Sequence, residues 1–359
     1  ICHQMKKNSK IAIVAGGTGG HLFPAISLLE QLISEKKKII FLSDIRVKKI
    51  IDQNKKFYKN KNVFFYSLDI SRNIINFFNL FYNLYKIFNI FRKENPKIVI
   101  GFGGYTSVPV LLISKILFKP IILHESNIIM GVANKLFYFF SKKIIFGWGD
   151  QKKIKNKKAF YIRNPVRKKI LMLRKKENFN FNKKKIIILV VGGSQGAAIF
   201  DKIIPEAINL LPYDIKKKIK IYHQCSKLNF IKVKKIYKKY NIKNICKTFF
   251  DNLPEIMFES QLVISRSGSS TLSEITTLGK PAILIPYKFA KNNHQEKNAN
   301  WLVKKGGAKM FLENDLTKVK LKQEIISIIK NKEKLKKMSK NSFSIGDDNS
   351  LLKLSRVVS

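Results

Sequence analysis

His21 ends a run of glycines in "AGGTGGHLFPA" (15–25), between the apolar run "IAIVA" and the helical pattern "ISLLEQLI". An imidazole at the mouth of a helix can accept a proton near neutral pH. The glycines let backbone N–H groups approach an anion or a sugar closely. A dinucleotide fingerprint needs a third glycine where Leu22 stands, although Asp44 follows the second apolar run as a ribose-binding acid would. A P-loop needs a Lys-Ser/Thr pair after the glycines, and the chain has none there. The loop alone therefore suits an anion or a sugar, and a structural cap remains the plain alternative for His21.

Five further stretches carry groups of the same kind. "VGGSQGAA" (191–198) repeats the glycine turn and adds the hydroxyl of Ser194. "SRSGSSTLSE" (265–274) is a helix start rich in hydroxyls and N–H groups, and its Glu274 can accept both hydroxyls of a ribose. Glu274 also stands three residues after Thr271, the spacing of a capping box. "NHQEKNA" (293–299) offers imidazole and amide groups suited to sugar hydroxyls. "GFGGYTSVP" (101–109) and "HESN" (124–127) complete the set, with Glu125 a second candidate base. Three of the five histidines, His21, His124 and His294, fall inside these motifs.

Each motif follows a short run rich in Ile and Val. The runs are "IAIVA", "KIIFLSD", "NVFFYSL", "KIVIGFGG", "PIILHES" and "KIIFGW", and then a second series opens with "KKKIIILVVGGSQG". "KIKIYHQC", "NICKTFF", "QLVISRSGSS", "KPAILIPY" and "AKMFL" continue it. Runs apolar on both faces and alternating with helices predict parallel sheets covered on both sides. Two such series predict two tandem doubly wound, Rossmann-like α/β domains with an inter-domain cleft, ligands lying outside the carboxyl ends of the strands. The expected division is residues 1–163 and 164–341, with the Lys-rich stretch 168–185 as a solvated connection.

The helical stretch 71–94, "SRNIINFFNLFYNLYKIFNIFRKE", is too interrupted by Asn and Lys to be a span of about 20 apolar residues. Asn73, Asn76, Asn79, Asn83, Lys86 and Asn89 recur as one polar stripe. The opposite aromatic face, with Phe77, Phe81 and Phe88, either packs on the core or rests at a lipid interface flanked by Arg72, Arg92 and Lys93.

The 70 basic against 23 acidic residues give a net charge of +47. Most of the excess is Lys spread along the whole chain beside abundant Ile, Asn and Phe, which reads as compositional drift at tolerant surface positions. No zinc-finger spacing, RNP-like motif or basic zipper accompanies it, so no nucleic-acid partner is expected. An anionic membrane surface would attract such a chain whatever the origin of the charge. Cys2, Cys225 and Cys246 make no CxxC and no disulfide framework, which predicts a reducing cytoplasm. No signal peptide is read at the N-terminus, and Met5 is the expected start of the natural chain.

In order, "GGTGGHLFPA", "GFGGYTSVP", "HESN", "RNPVR", "GGSQGA", "SRSGSSTLSE" and "HQEKNA" resemble the MurG family, the bacterial N-acetylglucosaminyltransferases of peptidoglycan synthesis. The resemblance spans residues 16–299 and implies a GT-B fold. It implies an inverting transfer of GlcNAc from UDP-GlcNAc to the 4-hydroxyl of the MurNAc in lipid I, giving lipid II at the cytoplasmic face of the inner membrane. It further implies acceptor binding and membrane association in the N-terminal domain, UDP-GlcNAc binding in the C-terminal one, and a final helix, 342–359, returning to the first domain. Carried over by motif, the donor contacts are Thr18, Gly19, Gly20, Asn127, Arg167, Ser194, Phe250 through its backbone, Ser269, Ser270, Thr271, Leu272, Ser273, Glu274 and Gln295. His21 is the favoured base and Glu125 the alternative. No DxD occurs in the chain, so no metal is expected at the diphosphate, and no cofactor is expected. The departures are Ser126 within "HESN" and the charged Glu296 and Lys297. A different UDP-sugar transferase of this fold, acting on another lipid, is the rival expectation. A NAD-dependent enzyme would account for the first loop and Asp44 but not for Ser265–Glu274.

Overall fold

The computed structural model describes residues 9–16, 19–45, 60–70, 77–149, 156–176, 185–193 and 196–359. They form two compact units, residues 1–167 with 349–359, and residues 168–348.

The first unit runs β1 (Lys10–Val14), α1 (Gly19–Ser34), β2 (Lys38–Asp44), β3 (Val63–Leu68), α2 (Phe77–Glu94), β4 (Ile98–Gly101), α3 (Ser107–Ile116), β5 (Ile121–Glu125), α4 (Val132–Phe137), β6 (Lys143–Phe146) and β7 (Ala159–Tyr161). The second runs α5 (Lys168–Arg174), β8 (Ile186–Val191), α6 (Ala198–Asn209), α7 (Tyr213–Lys218), β9 (Ile219–Gln224), α8 (Phe230–Lys239), β10 (Asn244–Lys247), α9 (Leu253–Glu259) and β11 (Leu262–Ser265). It continues with α10 (Ser269–Thr277), β12 (Ala282–Leu284), α11 (His294–Lys304), β13 (Ala308–Met310), α12 (Lys318–Ile329) and α13 (Lys332–Ile345). A last helix, α14 (Ser350–Val358), belongs to the first unit.

Both sheets are parallel among the described residues. Their orders are β3-β2-β1-β4-β5-β6-β7 and β10-β9-β8-β11-β12-β13. In each unit the order reverses between the first strand and the fourth, so the helices leave on opposite faces and a crevice opens at the strand ends. In the first unit the switch lies between β1 and β4, whose ends align with Val14 opposite Gly101. In the second it lies between β8 and β11, with Val191 opposite Ser265. Four of the glycine- or hydroxyl-rich motifs therefore flank the two switch points. The three-residue edge strand β7 is a finding beyond the predicted runs, because its short, half-exposed "AFY" carries little periodicity.

Burial on both faces explains why β1 is apolar after Lys10. Ile11, Ile13 and Ala15 pack with Leu22, Leu28, Leu29 and Leu32 of α1 and with Leu354 and Val358 of α14. Ala12 and Val14 pack on the other face with Ile87 and Phe91 of α2 and Val110 of α3. Each fully buried Leu or Ile of this kind contributes about 1.5–3 kcal/mol relative to exposure. Ser355 of α14 donates to the Glu35 carboxylate at 2.6 and 2.7 Å beside the end of α1. Residues 342–345 complete α13 instead of the returning helix. Ser342 is buried and donates to the Ile275 carbonyl.

Two expectations about surface segments change. Residues 168–174 of the Lys-rich stretch fold as α5 and bury Ile170 and Leu173; 177–184 lie outside the described residues. On α2 the inward stripe is Asn83, Ile87, Ile90, Phe91 and Glu94, while Phe78, Phe81, Tyr82 and Tyr85 are 87, 66, 61 and 68 % exposed. Part of the supposed outer polar stripe thus faces the body. Asn83 donates to the Asp69 carbonyl at 3.0 Å and Lys86 to the Ser67 carbonyl at 2.9 Å. The Phe77 side chain lies outside the described residues, and Phe88 is half-buried. Arg72, Asn73 and Asn76 also lie outside them.

Candidate active site

At the first unit's switch point the β1 end turns into α1 at Gly19 and Gly20; Thr18 lies outside the described residues. His21, in the first turn of α1, is half-buried. Beneath its ring lie Gly103 and Gly104 of the loop after β4, both at φ +82°. A Cβ on Gly103 would stand 3.3 Å from His21 Cε1, and one on Gly104 would stand 3.6 Å from Cδ2. The double glycine of "GFGG" therefore supplies both the left-handed turn and the space that seats the imidazole.

His124, at the end of β5, is fully buried beside the Phe102 ring, with centroids 4.7 Å apart. Its Nδ1 lies 3.4 Å from the Ser126 hydroxyl. Burial, together with the neighbouring His21, holds its pKa down at about 3, so it is neutral at any working pH. The shorter Ser126 of "HESN" thus has a local partner.

Glu125 is buried and its carboxylate is filled from four sides. Oε1 accepts from the Asn127 N–H at 2.9 Å and its Nδ2 at 3.2 Å. Oε2 accepts from the Gly131 N–H at 2.8 Å and from Asn134 Nδ2 at 2.9 Å. Four donors engage the carboxylate and shape the loop 126–131 around it. This geometry describes a brace, and it positions Asn127, half-buried at the rim. Asn134 of α4, absent from the sequence-predicted set, also donates to the His124 carbonyl at 3.1 Å. A lone amide on the buried face of a short apolar helix was its only signal. Arg167 is half-buried at the last residue of the first unit's main segment. Asp44 is buried and accepts from the Thr106 hydroxyl at 3.4 Å, a support for the first loop in place of a ribose contact.

In the second unit, the loop after β8 passes Gly193 and Gly196 at φ +87° and +73°. Ser194 and Gln195 between them lie outside the described residues. Gln224 Nε2 donates to the Gly193 carbonyl at 3.4 Å. A Cβ on Gly196 would meet the Ser226 backbone at 2.8 Å. The loop is therefore pinned against the end of β9.

α10 starts at Ser269 after Gly268, which brings no side chain to cap it. The Leu272 N–H already donates to the Gly268 carbonyl at 3.0 Å, so the donors at the helix mouth end at Thr271. Ser270 and Thr271 are half-exposed and Ser269 is buried. Leu272 is buried in the core, and the Ser273 hydroxyl donates to the Ser269 carbonyl at 2.7 Å. Neither side chain is offered to the rim: Leu272 is turned into the core and the Ser273 hydroxyl is taken up by the backbone one turn back. Glu274 is nearly buried on the same helix. With the N-cap at Gly268, Thr271 is not a capping residue, so the capping-box spacing is coincidental.

Gln295, in the first turn of α11, accepts from the Tyr287 N–H at 3.0 Å through Oε1, which makes its Nε2 end a donor. Its carbonyl accepts from Ser267 at 2.7 Å, and Asn298 donates to the Ser267 carbonyl at 3.3 Å. The motifs "SRSGSST" and "NHQEKNA" are thereby tied together. His294 Nδ1 donates to the Lys291 carbonyl at 2.8 Å. Arg266 donates to the Ile285 and Pro286 carbonyls at 3.0 and 3.1 Å and pairs with Glu313. It braces the strand ends, a role the sequence did not assign. The Phe250 ring is buried 6.0 Å from Tyr222, leaving its backbone as the part a ligand could meet.

The chain matches two family models, the glycosyltransferase family 28 N-terminal domain over residues 11–146 and the family 28 C-terminal domain over residues 187–353. A protein of the Wolbachia endosymbiont of Brugia malayi is 35% identical over 97% of this chain and 98% of its own. One of Rickettsia canadensis is 37% identical over 92% and 94%. Both are named UDP-N-acetylglucosamine–N-acetylmuramyl-(pentapeptide) pyrophosphoryl-undecaprenol N-acetylglucosamine transferase. The crystal structure of Acinetobacter baumannii MurG superposes with a TM-score of 0.79 at 23% identity, covering 98% of this chain and 99% of that one. UDP-GlcNAc 2-epimerase of Neisseria meningitidis shares the fold at a TM-score of 0.67 and 14% identity, over 97% and 99%.

Proposed function

The chain belongs to glycosyltransferase family 28, and on that premise we propose that it moves GlcNAc from UDP-GlcNAc to the MurNAc 4-hydroxyl of lipid I, forming lipid II with inversion. The sequence relatives carry the choice of acceptor: they are transferases named for this reaction and match nearly the whole chain. The fold alone would equally suit an epimerase.

Inversion requires one direct displacement at the anomeric carbon, so a base must take the acceptor proton as the diphosphate leaves. His21 is the proposed base. It sits on the acceptor-side unit, half-buried, at a position fixed by Gly103 and Gly104. Glu125 is the weaker candidate, since four donors occupy its oxygens. The N–H groups of Ser269, Ser270 and Thr271, with the hydroxyls of Ser270 and Thr271, are proposed to take the charge that develops on UDP. Ser194 and Arg167 would add to them. Glu274 would accept the ribose hydroxyls, Gln295 would donate to the GlcNAc hydroxyls, and the Phe250 backbone would meet the uracil.

Among the described residues, no helix is long and apolar enough to cross a membrane. The exposed aromatic face of α2 supports a peripheral attachment to the anionic cytoplasmic face of the inner membrane. α2 packs on α3 and α3 on α4, where Phe118, Leu136 and Phe139 are also exposed. Lys115 lies over the Phe140 ring at 3.4 Å. Aromatic rings ringed by Lys are suited to the headgroup layer.

Incubation with UDP-GlcNAc and a short-chain lipid I analogue should yield UDP and the disaccharide lipid in equal amounts. UDP release without the disaccharide, or free epimerised sugar, would refute the assignment. Flotation with anionic vesicles should be lost when Phe78, Phe81 and Tyr85 are changed to Ser, with the transferase activity on a soluble analogue retained. Undiminished flotation would refute the attachment through α2.

A further inference from the structure

We propose that Asp201, His223 and Cys225, with Cys246 approaching as a fourth ligand, bind a divalent metal ion of the zinc class below Gly193 and Gly196 of the second unit. The inference is independent of the transferase reading. These residues gather from three places: Asp201 from the first turn of α6, His223 from the end of β9 with Cys225 just after it, and Cys246 from β10. Cys246 pairs in register with His223, and its thiol interacts with that of Cys225. Asp201, His223 and Cys225 are all at most 3 % exposed. Their Oδ, Nε and Sγ donor atoms lie within 4.8 Å of one another.

The carboxylate and the imidazole each have one atom held and one left over. Asp201 Oδ2 accepts from the Ser226 hydroxyl at 2.6 Å, the Ser226 N–H at 3.2 Å and Asn229 Nδ2 at 3.2 Å. His223 Nδ1 is 3.0 Å from the Tyr237 hydroxyl. The remaining atoms, Asp201 Oδ1 and His223 Nε2, face each other at 3.4 Å, but without hydrogen-bond geometry. Both are fully buried, and neither makes a hydrogen bond to any described residue besides this long mutual contact. One long contact between them leaves two buried polar atoms under-satisfied in a protein interior.

A metal resolves the arrangement. Tetrahedral zinc with Zn–N and Zn–O near 2.1 Å and Zn–S near 2.3 Å spaces its donors by about 3.3–3.9 Å. The Asp201–His223 pair already meets that spacing, and Cys225, within 4.8 Å of both, needs a shift of at most about 1.5 Å. A ligating histidine normally has its other nitrogen hydrogen-bonded, and a ligating carboxylate its other oxygen. Tyr237, Ser226 and Asn229 supply both here. On binding, the Cys225 and Cys246 thiols would release their protons to solvent and ligate as thiolates. The ion would then tie α6, β9 and β10 together under Gly193–Gly196, which Gln224 and Ser226 touch.

The test is titration of the purified full chain with Co²⁺ and Zn²⁺. Wild-type protein should take up about one ion per chain. The cobalt form should show a sulfur-to-cobalt charge-transfer band and the intense visible bands of a tetrahedral site. D201N and C225A should bind zinc about 100-fold more weakly or worse, and C246A should weaken the charge-transfer band. Circular dichroism of the metal-free variants separates loss of ligand from loss of fold. No charge-transfer band in the folded wild-type protein would overturn the proposal. So would wild-type zinc affinity in D201N and C225A.

Discussion

The two units share a strand order, a switch point and a glycine turn after the first strand, yet their rims differ in chemistry. In the first unit the turn faces imidazoles. His21 rests on Gly103 and Gly104, with buried His124 and the fully engaged Glu125 behind it. In the second unit the rim is built of donors to anions and hydroxyls: the start of α10, the Gln295 amide and the loop pinned by Gln224. Under the proposed function, the duplicated topology would assign proton transfer to the first rim and nucleotide binding to the second, through the side chains at each switch point.

The sharpest way to break this comparison is His21→Ala. Turnover should fall by about 100-fold or more, while UDP-GlcNAc affinity changes by less than a few-fold. A comparable loss of donor affinity would place His21 in nucleotide binding and erase the distinction. Glu274→Gln tests the other half. It should raise the donor KM by about 10- to 100-fold, equivalent to about 1.4–2.8 kcal/mol, with a small effect on kcat. Deoxygenated ribose analogues should penalise the wild type more than this variant; equal penalties would remove Glu274 from the ribose.

Glu125→Gln separates brace from base. Its new NH2 would confront two of the four donors that now point at the carboxylate. A stability loss of about 1–3 kcal/mol is expected, with activity reduced but the shape of the pH–rate profile kept. Loss of the low-pH limb of that profile would make Glu125 the base. The smallest effect concerns pH. His124, held near 3 when folded against about 6.5 unfolded, lets the unfolded state take up a proton first as the pH falls. Its contribution to stability is complete above about 6.5 and is lost progressively toward pH 3, at up to about 1.4 kcal/mol per pH unit. Urea midpoints measured from pH 7 to 4 should show this dependence, and His124→Phe should flatten it.

Most of the fold and the candidate site was legible in the sequence because parallel strands buried on both faces read as continuous apolar runs. The functional motifs also had to sit immediately after them. β7 escaped because three residues hold no periodicity. The direction of α2 escaped for a different reason. Asn83 and Lys86 read as an outer stripe, but their polar ends meet the Asp69 and Ser67 carbonyls on the inner side. Leu272 and Ser273 lay within a motif, yet a helix turns them away from its mouth.

The sequence by itself determined two doubly wound units, the strand ends where ligands gather, and a family whose motifs name a sugar-nucleotide reaction. Those properties follow from local periodicity and from residue order, which a linear chain displays directly. Only the tertiary structure decided that Glu125 is enclosed by four donors, that Asp44 supports a loop, and that the aromatic side of α2 faces outward. It alone brought Asp201, His223 and Cys225 together and set Cys246 beside His223 across the sheet, although 45 residues separate the first from the last. Parallel strands join neighbours across long crossovers, so sequence spacing carries no sign of such a cluster.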